Sequence, residues 1–253
     1  MSSPALGPLG PLNFSVSTLV SSRGLGKRER TRLQLIETAV HALAVHGVDG
    51  VSVQEIAAMA GVANGTFYNH FRTKEDLLHA VATLLAESLC ERIEASCAAV
   101  PEGAERMAIG NRRYVLLAVE NPAWAAVLMQ LAGAIAEMQA ISSRYALADL
   151  ELGIRQGSFR VPSRQAGLDL VLGTIGQAMR TAALGKVPRG YDAMVATAVL
   201  RGLGMPFDEA AAVARRPLPL LPDPVPGSMP SPGAARRRSR PGEPGSPPAG
   251  SVR

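Results

Sequence analysis

The sequence predicts an all-α protein, and three observations carry that prediction. Apolar residues recur at helical spacing: Leu33, Ile36, Val40 and Leu43 follow at i, i+3, i+7 and i+10 and form one stripe. No stretch alternates apolar and polar residues as a half-buried strand would. Glycine and proline punctuate the chain at intervals that fit helix lengths.

Each element follows from local signals. Residues 1–26 are rich in Gly, Pro and Ser, hold no steady period and read as a disordered arm. A basic stretch, RGLGKRERTR (23–32), leads into the first helix, and Gly47 suits its C-terminus. Ser52 is placed to cap VQEIAAMA, and Glu55 three residues later completes a capping-box pattern. Gly61 marks a turn, and a short segment with Phe67 and Phe71 follows. Thr73 caps the next helix, whose first turn carries Glu75 and Asp76, and the helix runs from Lys74 to about Ala99 before Pro101. Further helices are expected near 102–119, 121–139, 141–157, 164–185 and 191–203, with breaks at Asn121-Pro122, Gly157, Pro162, Gly185, Pro188 and Pro206. Beyond residue 214 eleven of the 19 prolines crowd into the last stretch, which reads as a disordered tail.

Composition bounds the function classes. With 253 residues and 47% apolar content the chain can fill a core. No run of about 18 apolar residues suggests a membrane span, and the N-terminus lacks the basic start of a signal peptide, so an intracellular protein with no membrane partner is expected. The net charge of +5 arises in the tail, where seven arginines face two acids; the other residues balance at 19 basic and 19 acidic groups. Evidence for nucleic-acid binding must therefore be local. Cys90 and Cys97 on one helix are separated by about 10.5 Å of rise, beyond the ~7 Å limit for a disulfide, so buried free thiols are expected.

The local evidence lies in AGVANGTFYNHFRTKEDLL (60–78). Two short helices joined by a tight turn at Gly61 form a helix-turn-helix. Ala57 is small where the helices cross, and Ile56, Val62, Phe67 and Phe71 can pack inward. That leaves Asn64, Gly65, Thr66, Tyr68 and Asn69 on the outer side, with donors and acceptors suited to base edges and phosphates. The reading is DNA binding through the second helix in the major groove.

VSVQEIAAMAGVANGTFYNHFRTKEDLL resembles the DNA-binding region of the TetR family of bacterial transcription regulators, and LRGLGMPFDEAAAVAR (200–215) resembles the last helix and ending of many members. The resemblance spans residues 28 to 214. It implies a homodimer of nine or ten helices per subunit: a helix-turn-helix DNA-binding domain over 27–73, and a ligand-binding and dimerisation domain over 74–214, with the tail at 215–253. It implies that Gln54, Asn64, Gly65, Thr66, Tyr68 and Asn69 lie at or near the bases. Ser52, His70 and Lys74 correspond to phosphate contacts, and Tyr68 often serves phosphate. Two positions depart from the pattern. Ala63 replaces a common Ser, which leaves Asn64 to cap the reader helix; Val53 replaces a common Thr and weakens one phosphate contact.

In the second domain Met107, Tyr114, Trp124, Leu128, Met129 and Met138 are candidates to line a pocket, and the same residues also fit a plain core. Few charges interrupt the apolar stripes, which favours a mostly apolar inducer. The small-residue runs in 164–185 and 191–203 fit a dimer-forming pair, and also fit core. GxSxG, HExxH, a phosphate loop and a Cys/His set with metal spacing are all missing from the sequence, so no enzyme, metal or cofactor is expected. The expected function is a ligand-responsive repressor that binds a double-stranded DNA operator. A ligand-independent architectural protein and an activator are the alternatives.

Overall fold

The fold is described from a computed structural model over residues 26–120, 122, 125, 136–185 and 187–222, with backbone alone for Ala44 and residues 136–139. Nine helices run through these residues: α1 (Lys27–His46), α2 (Val53–Met59), α3 (Asn64–Tyr68), α4 (Lys74–Ser96), α5 (Gly103–Glu120), α6 (Ala136–Arg155), α7 (Arg164–Leu184), α8 (Tyr191–Gly202) and α9 (Phe207–Ala214). The all-α expectation holds, and no strand is present among the described residues.

The first three helices form because their ends are signalled and their inner faces are apolar. Gly47 turns α1 off with a φ of 72°, and its N–H closes on the Leu43 carbonyl. Ser52 and Glu55 make the full capping box at α2: the Ser52 hydroxyl accepts from the Glu55 N–H at 3.2 Å, and the Ser52 N–H donates to Glu55 Oε2 at 2.7 Å. Leu35, Ile36, Val40, Leu43, Ile56 and Phe67 are sealed from solvent between α1, α2 and α3.

The larger helices pack around α5, which touches α4, α6, α7, α8 and α9. The α5–α6 crossing is close because it is built on glycine. A Cβ on Gly103 would lie 2.4 Å from the Gly153 nitrogen, and one on Gly153 would lie 2.2 Å from the Phe159 ring. Polar pins lock the arrangement. Arg112 Nε donates to Asp192 Oδ2 at 2.7 Å, joining α5 to α8. Arg106 joins α5 to α6 through Asp149 at 2.6 Å and to α4 through Glu94 at 2.6 Å.

Two boundaries differ from the sequence reading. The expected break between 139 and 141 is absent: α6 runs through Ala140 from Ala136, since AEMQAISSRY holds no breaker. The expected break at Pro206 is present: that residue separates α8 from α9 and is the N-cap of α9, where its missing N–H costs nothing. The tail also begins later than residue 215. Residues 215–222 lie along α4 and α5, because buried Arg92 and half-buried Arg112 and Arg113 take their carbonyls as acceptors. Arg112 Nη1 donates to the Arg216 carbonyl at 2.6 Å, Arg113 Nη2 to that of Pro219, and Arg92 Nε to that of Pro222 at 2.8 Å. Residues 1–25 and 223–253 lie outside the described residues.

This strap yields a prediction. Ending the chain after Arg215 removes one acceptor from each of three arginines and lowers stability by about 1–3 kcal/mol, the worth of hydrogen bonds to charged donors. Ending it after Pro222 keeps those bonds and leaves the melting temperature unchanged. Thermal melts of the two truncations beside the full chain check this; equal melting of all three would show that the strap contributes nothing.

Candidate DNA-reading surface and effector cavity

The reader is built on the α2–α3 turn. Gly61 holds φ at +66°, a conformation that disfavours a side chain, and the Val62 N–H donates to the Ala57 carbonyl at 3.0 Å. Gln34 of α1 fixes the turn from beneath, its Nε2 donating to the Ala60 carbonyl at 2.7 Å. Phe67 is fully buried, with Phe71 5.8 Å away ring to ring, and the Arg32 guanidinium lies 5.0 Å above the Phe71 ring. With Phe67 inward, helical geometry turns the rest of α3 outward. Asn64, Gly65, Tyr68 and Asn69 are exposed and Thr66 is half-buried. Gln54 is exposed on the first turn of α2.

The capping expectation for Asn64 is corrected. Ala63 is the N-cap, no side chain closes that end, and Asn64 is the first helical residue with its side chain exposed. Its amide is thereby left for other contacts. Ser52 lies half-buried with its hydroxyl engaged in the capping box. His70 follows α3 and faces Arg28 and Arg32; burial, and then these two charges, hold its imidazole below the usual range. Lys74 stands at the N-terminus of α4, where Nζ donates to the Val48 carbonyl at 2.6 Å. This bond, which the sequence did not signal, fastens α4 to the turn between α1 and α2.

The second feature is a cavity of about 580 Å³ enclosed by α4, α5, α6 and α7. Met107 and Tyr114 line it, as expected from sequence. Trp124, Leu128 and Met129 lie outside the described residues, and Met138 is described by its backbone alone. Residues the sequence reading did not single out complete the wall: Cys90, Ile93 and Cys97 from α4, Asn111 from α5, Ser142 and Ala146 from α6, Leu168, Ile175 and Met179 from α7. Cys90 Sγ lies 3.0 Å from the Tyr114 hydroxyl. Burial pushes both thiols above their usual range, and burial pushes the Tyr114 phenol up as well. Glu94 and Asp149 also reach the wall, but Arg106 holds both. Burial raises the Asp149 carboxyl, against the opposing pull of Arg106. The cysteines are free and buried, as their spacing required. Among the described residues no group of acids, histidines and cysteines could hold a metal ion, and no helix is long and apolar enough to cross a membrane.

A polar-faced helix-turn-helix joined to a helical body with an apolar cavity is the frame of a ligand-responsive regulator. Residues 35–81 match the family described as bacterial regulatory proteins, tetR family, and residues 102–216 match the tetracyclin repressor-like C-terminal domain, together more than half of the chain. The chain belongs to the TetR family. Among solved structures it is similar to the regulator RolR in complex with resorcinol: 32% identity, 78% of this chain and 98% of that one covered, TM-score 0.68. It is 29% identical over 170 residues to the HTH-type transcriptional regulator BetI of Escherichia coli O127:H6, covering 64% of this chain and 87% of the relative. It is 32% identical over 97 residues to the fatty acid metabolism regulator protein of Bacillus subtilis (strain 168), a match to 38% of this chain and 50% of the relative. As a TetR-family member the chain is a ligand-responsive DNA-binding repressor.

The thiols offer a readout of the cavity. Cys90 and Cys97 should react slowly with Ellman's reagent in the native protein, because both are buried and held as thiols, and should both react rapidly once guanidinium unfolds the chain. Absorbance at neutral pH with and without denaturant checks this. Rapid native reaction of both would contradict their burial.

Proposed function

We propose that residues 27–73 form the DNA-binding domain and that α3 is its reader. Asn64, Gly65, Thr66, Tyr68 and Asn69 meet base edges or the phosphates beside them, and Gln54 approaches from α2. Ser52, His70 and Lys74 face the backbone. The observation that carries this reading is the outward polar row of α3 over a buried Phe67, held by the Gly61 turn. Arg28 and Arg32 add positive charge beside His70, which supports attraction to phosphate at this end of the molecule.

Residues 74–214 form the domain that binds the effector and pairs the subunits. The ligand is small and mostly apolar, an assignment supported by the cavity's lining and by the resorcinol bound in RolR. Two copies pair through α7 and α8. In support, Leu184 is 87% and Met194 53% exposed there, beside a shallow depression along Thr174, Ala178, Tyr191 and Ala198. The working site is the cytoplasm, where operator DNA is reached.

Ligand and operator are coupled through α4. One end of this helix lines the cavity with Cys90 and Ile93; the other is tied by Lys74 to the Val48 carbonyl below the reader. Lys74 and Cys90 are about 24 Å apart along the axis. A ligand that displaces the cavity end of a stiff helix displaces the reader with it, and the two readers of a dimer lose their common register on the groove.

Selection of duplexes from a random pool by the purified protein tests the proposal, and a near-palindrome should emerge from a two-fold dimer. A single half-site bound by one monomer would contradict it. On the selected duplex, Asn69→Ala and Thr66→Ala should each cost about 1–3 kcal/mol, with a smaller loss on scrambled DNA. Equal losses on both would place these residues on the phosphates instead.

Lys74→Ala should weaken binding to selected and scrambled duplexes alike and lower the salt slope by about one. It should also lower the melting temperature, because the Val48 carbonyl loses its donor. Fluorescence anisotropy across a salt series, with a thermal melt alongside, separates the two effects. An unchanged slope with a lowered melting temperature would make Lys74 purely a fastening residue.

A further inference from the structure

Among the described residues of the cavity wall, one fully buried polar side-chain atom lacks a hydrogen-bond partner, and it restricts the ligand. We infer that the effector is an uncharged molecule presenting a hydrogen-bond donor, most simply a hydroxyl, and that Asn111 receives it through Oδ1. The inference rests on the cavity being the effector site, as proposed above.

Asn111 is 2% exposed on α5. Its Nδ2 donates to the Met107 carbonyl at 2.6 Å. A carbonyl only accepts, so the amide cannot be turned the other way and the identity of its oxygen is fixed. Oδ1 then has no partner. Buried amide oxygens in folded proteins are almost always bonded, so this one is an acceptor held in readiness. The residues around it share the cavity face of α5: Met107 one turn before, Tyr114 one turn after.

The buried phenol and the two inner carboxylates of the wall do not compete for the role. The Tyr114 hydroxyl is taken up by Cys90 Sγ at 3.0 Å and by Ser142. Glu94 and Asp149 are both on Arg106. Asp169 and Arg180 stand on exposed positions of α7, at the rim. Among the described residues an anion would meet the Asn111 oxygen and two carboxylates, and Arg106 between those carboxylates is already bonded to both. A molecule with acceptors alone, such as an ether, would leave Oδ1 as it stands. A hydroxyl completes it.

The test uses the full chain with two probes of one ring size: resorcinol, and 1,3-dimethoxybenzene, in which methyl groups replace both hydroxyl hydrogens. Binding is measured by calorimetry on wild type, Asn111→Leu and Asn111→Ala, and each unliganded protein is melted. Wild type should prefer resorcinol by about tenfold or more, the worth of one buried hydrogen bond. Asn111→Leu should erase the preference while melting no lower than wild type, because it removes an unsatisfied buried oxygen. Asn111→Ala, which fits the same space without strain, should erase the preference too. A preference that survives in either folded variant overturns the assignment to Asn111. Equal binding of both probes by wild type overturns the donor requirement and leaves the cavity as the effector site. Binding of neither overturns the small-ligand reading of the cavity itself, and this inference with it.

Discussion

The rest of the structure depends on the seating of α4. Its first residue, Lys74, reaches back to the Val48 carbonyl, and Thr73 with Asp76 closes the helix end, the Thr73 hydroxyl accepting from the Asp76 N–H at 3.1 Å. Its inner face then runs buried from Leu77 to Ile93, so the helix has no freedom to slide on its neighbours without opening the core. Near its far end Glu94 is held by Arg106, which also binds Asp149 and the Cys97 carbonyl. One helix is thus pinned at the reader and at the cavity by separate polar contacts. Close-packed side chains between the pins leave little room for a change at either one to be absorbed.

The strap of residues 215–222 bears on the same helix. Its carbonyls are acceptors for Arg92 on α4 and for Arg112 and Arg113 on α5. Arg112 meanwhile bonds Asp192 on α8. The arginines solve a burial problem. Long basic side chains set among apolar helix faces need acceptors, and irregular backbone with no helix or sheet partner of its own supplies them.

The helix-turn-helix was legible in the sequence because its signals are short-range. The Ser52–Glu55 box, Gly61 and the four-residue spacing of Phe67 and Phe71 each act within one or two turns, and each forms as read. The cavity was much less legible. Its wall is gathered from four helices that lie up to about a hundred residues apart, and a residue facing a cavity obeys the same 3.6 period as one facing core. Met107 and Tyr114 could be named from size and chemistry, while Cys90 and Ser142 could not be told from structural groups and Asn111 was passed over. A signal did exist for Asn111: a lone amide on the apolar face of α5, four residues after Met107. The strap left a fainter one, since its acceptors are backbone carbonyls and only the cluster Arg112-Arg113 hinted at a need for them.

Charge placement completes the account of how a nearly neutral body can address a polyanion. Outside the final stretch the basic and acidic groups cancel at 19 each, so the molecule's overall field offers little steering. What matters is where the uncancelled charges stand. Lys27, Arg28 and Arg30 are exposed on the first turn of α1, Arg32 sits over Phe71, and Arg28 and Arg32 both face His70 at the end of α3. These charges lie where a reader helix would bring phosphates, whereas Arg106 and Arg112 in the body are consumed by Glu94, Asp149 and Asp192. Burial first, and then Arg28 and Arg32, hold the His70 imidazole below its usual range, and a phosphate beside them would offset the two arginine charges. The same cluster of like charges favours an anion at that end of the molecule.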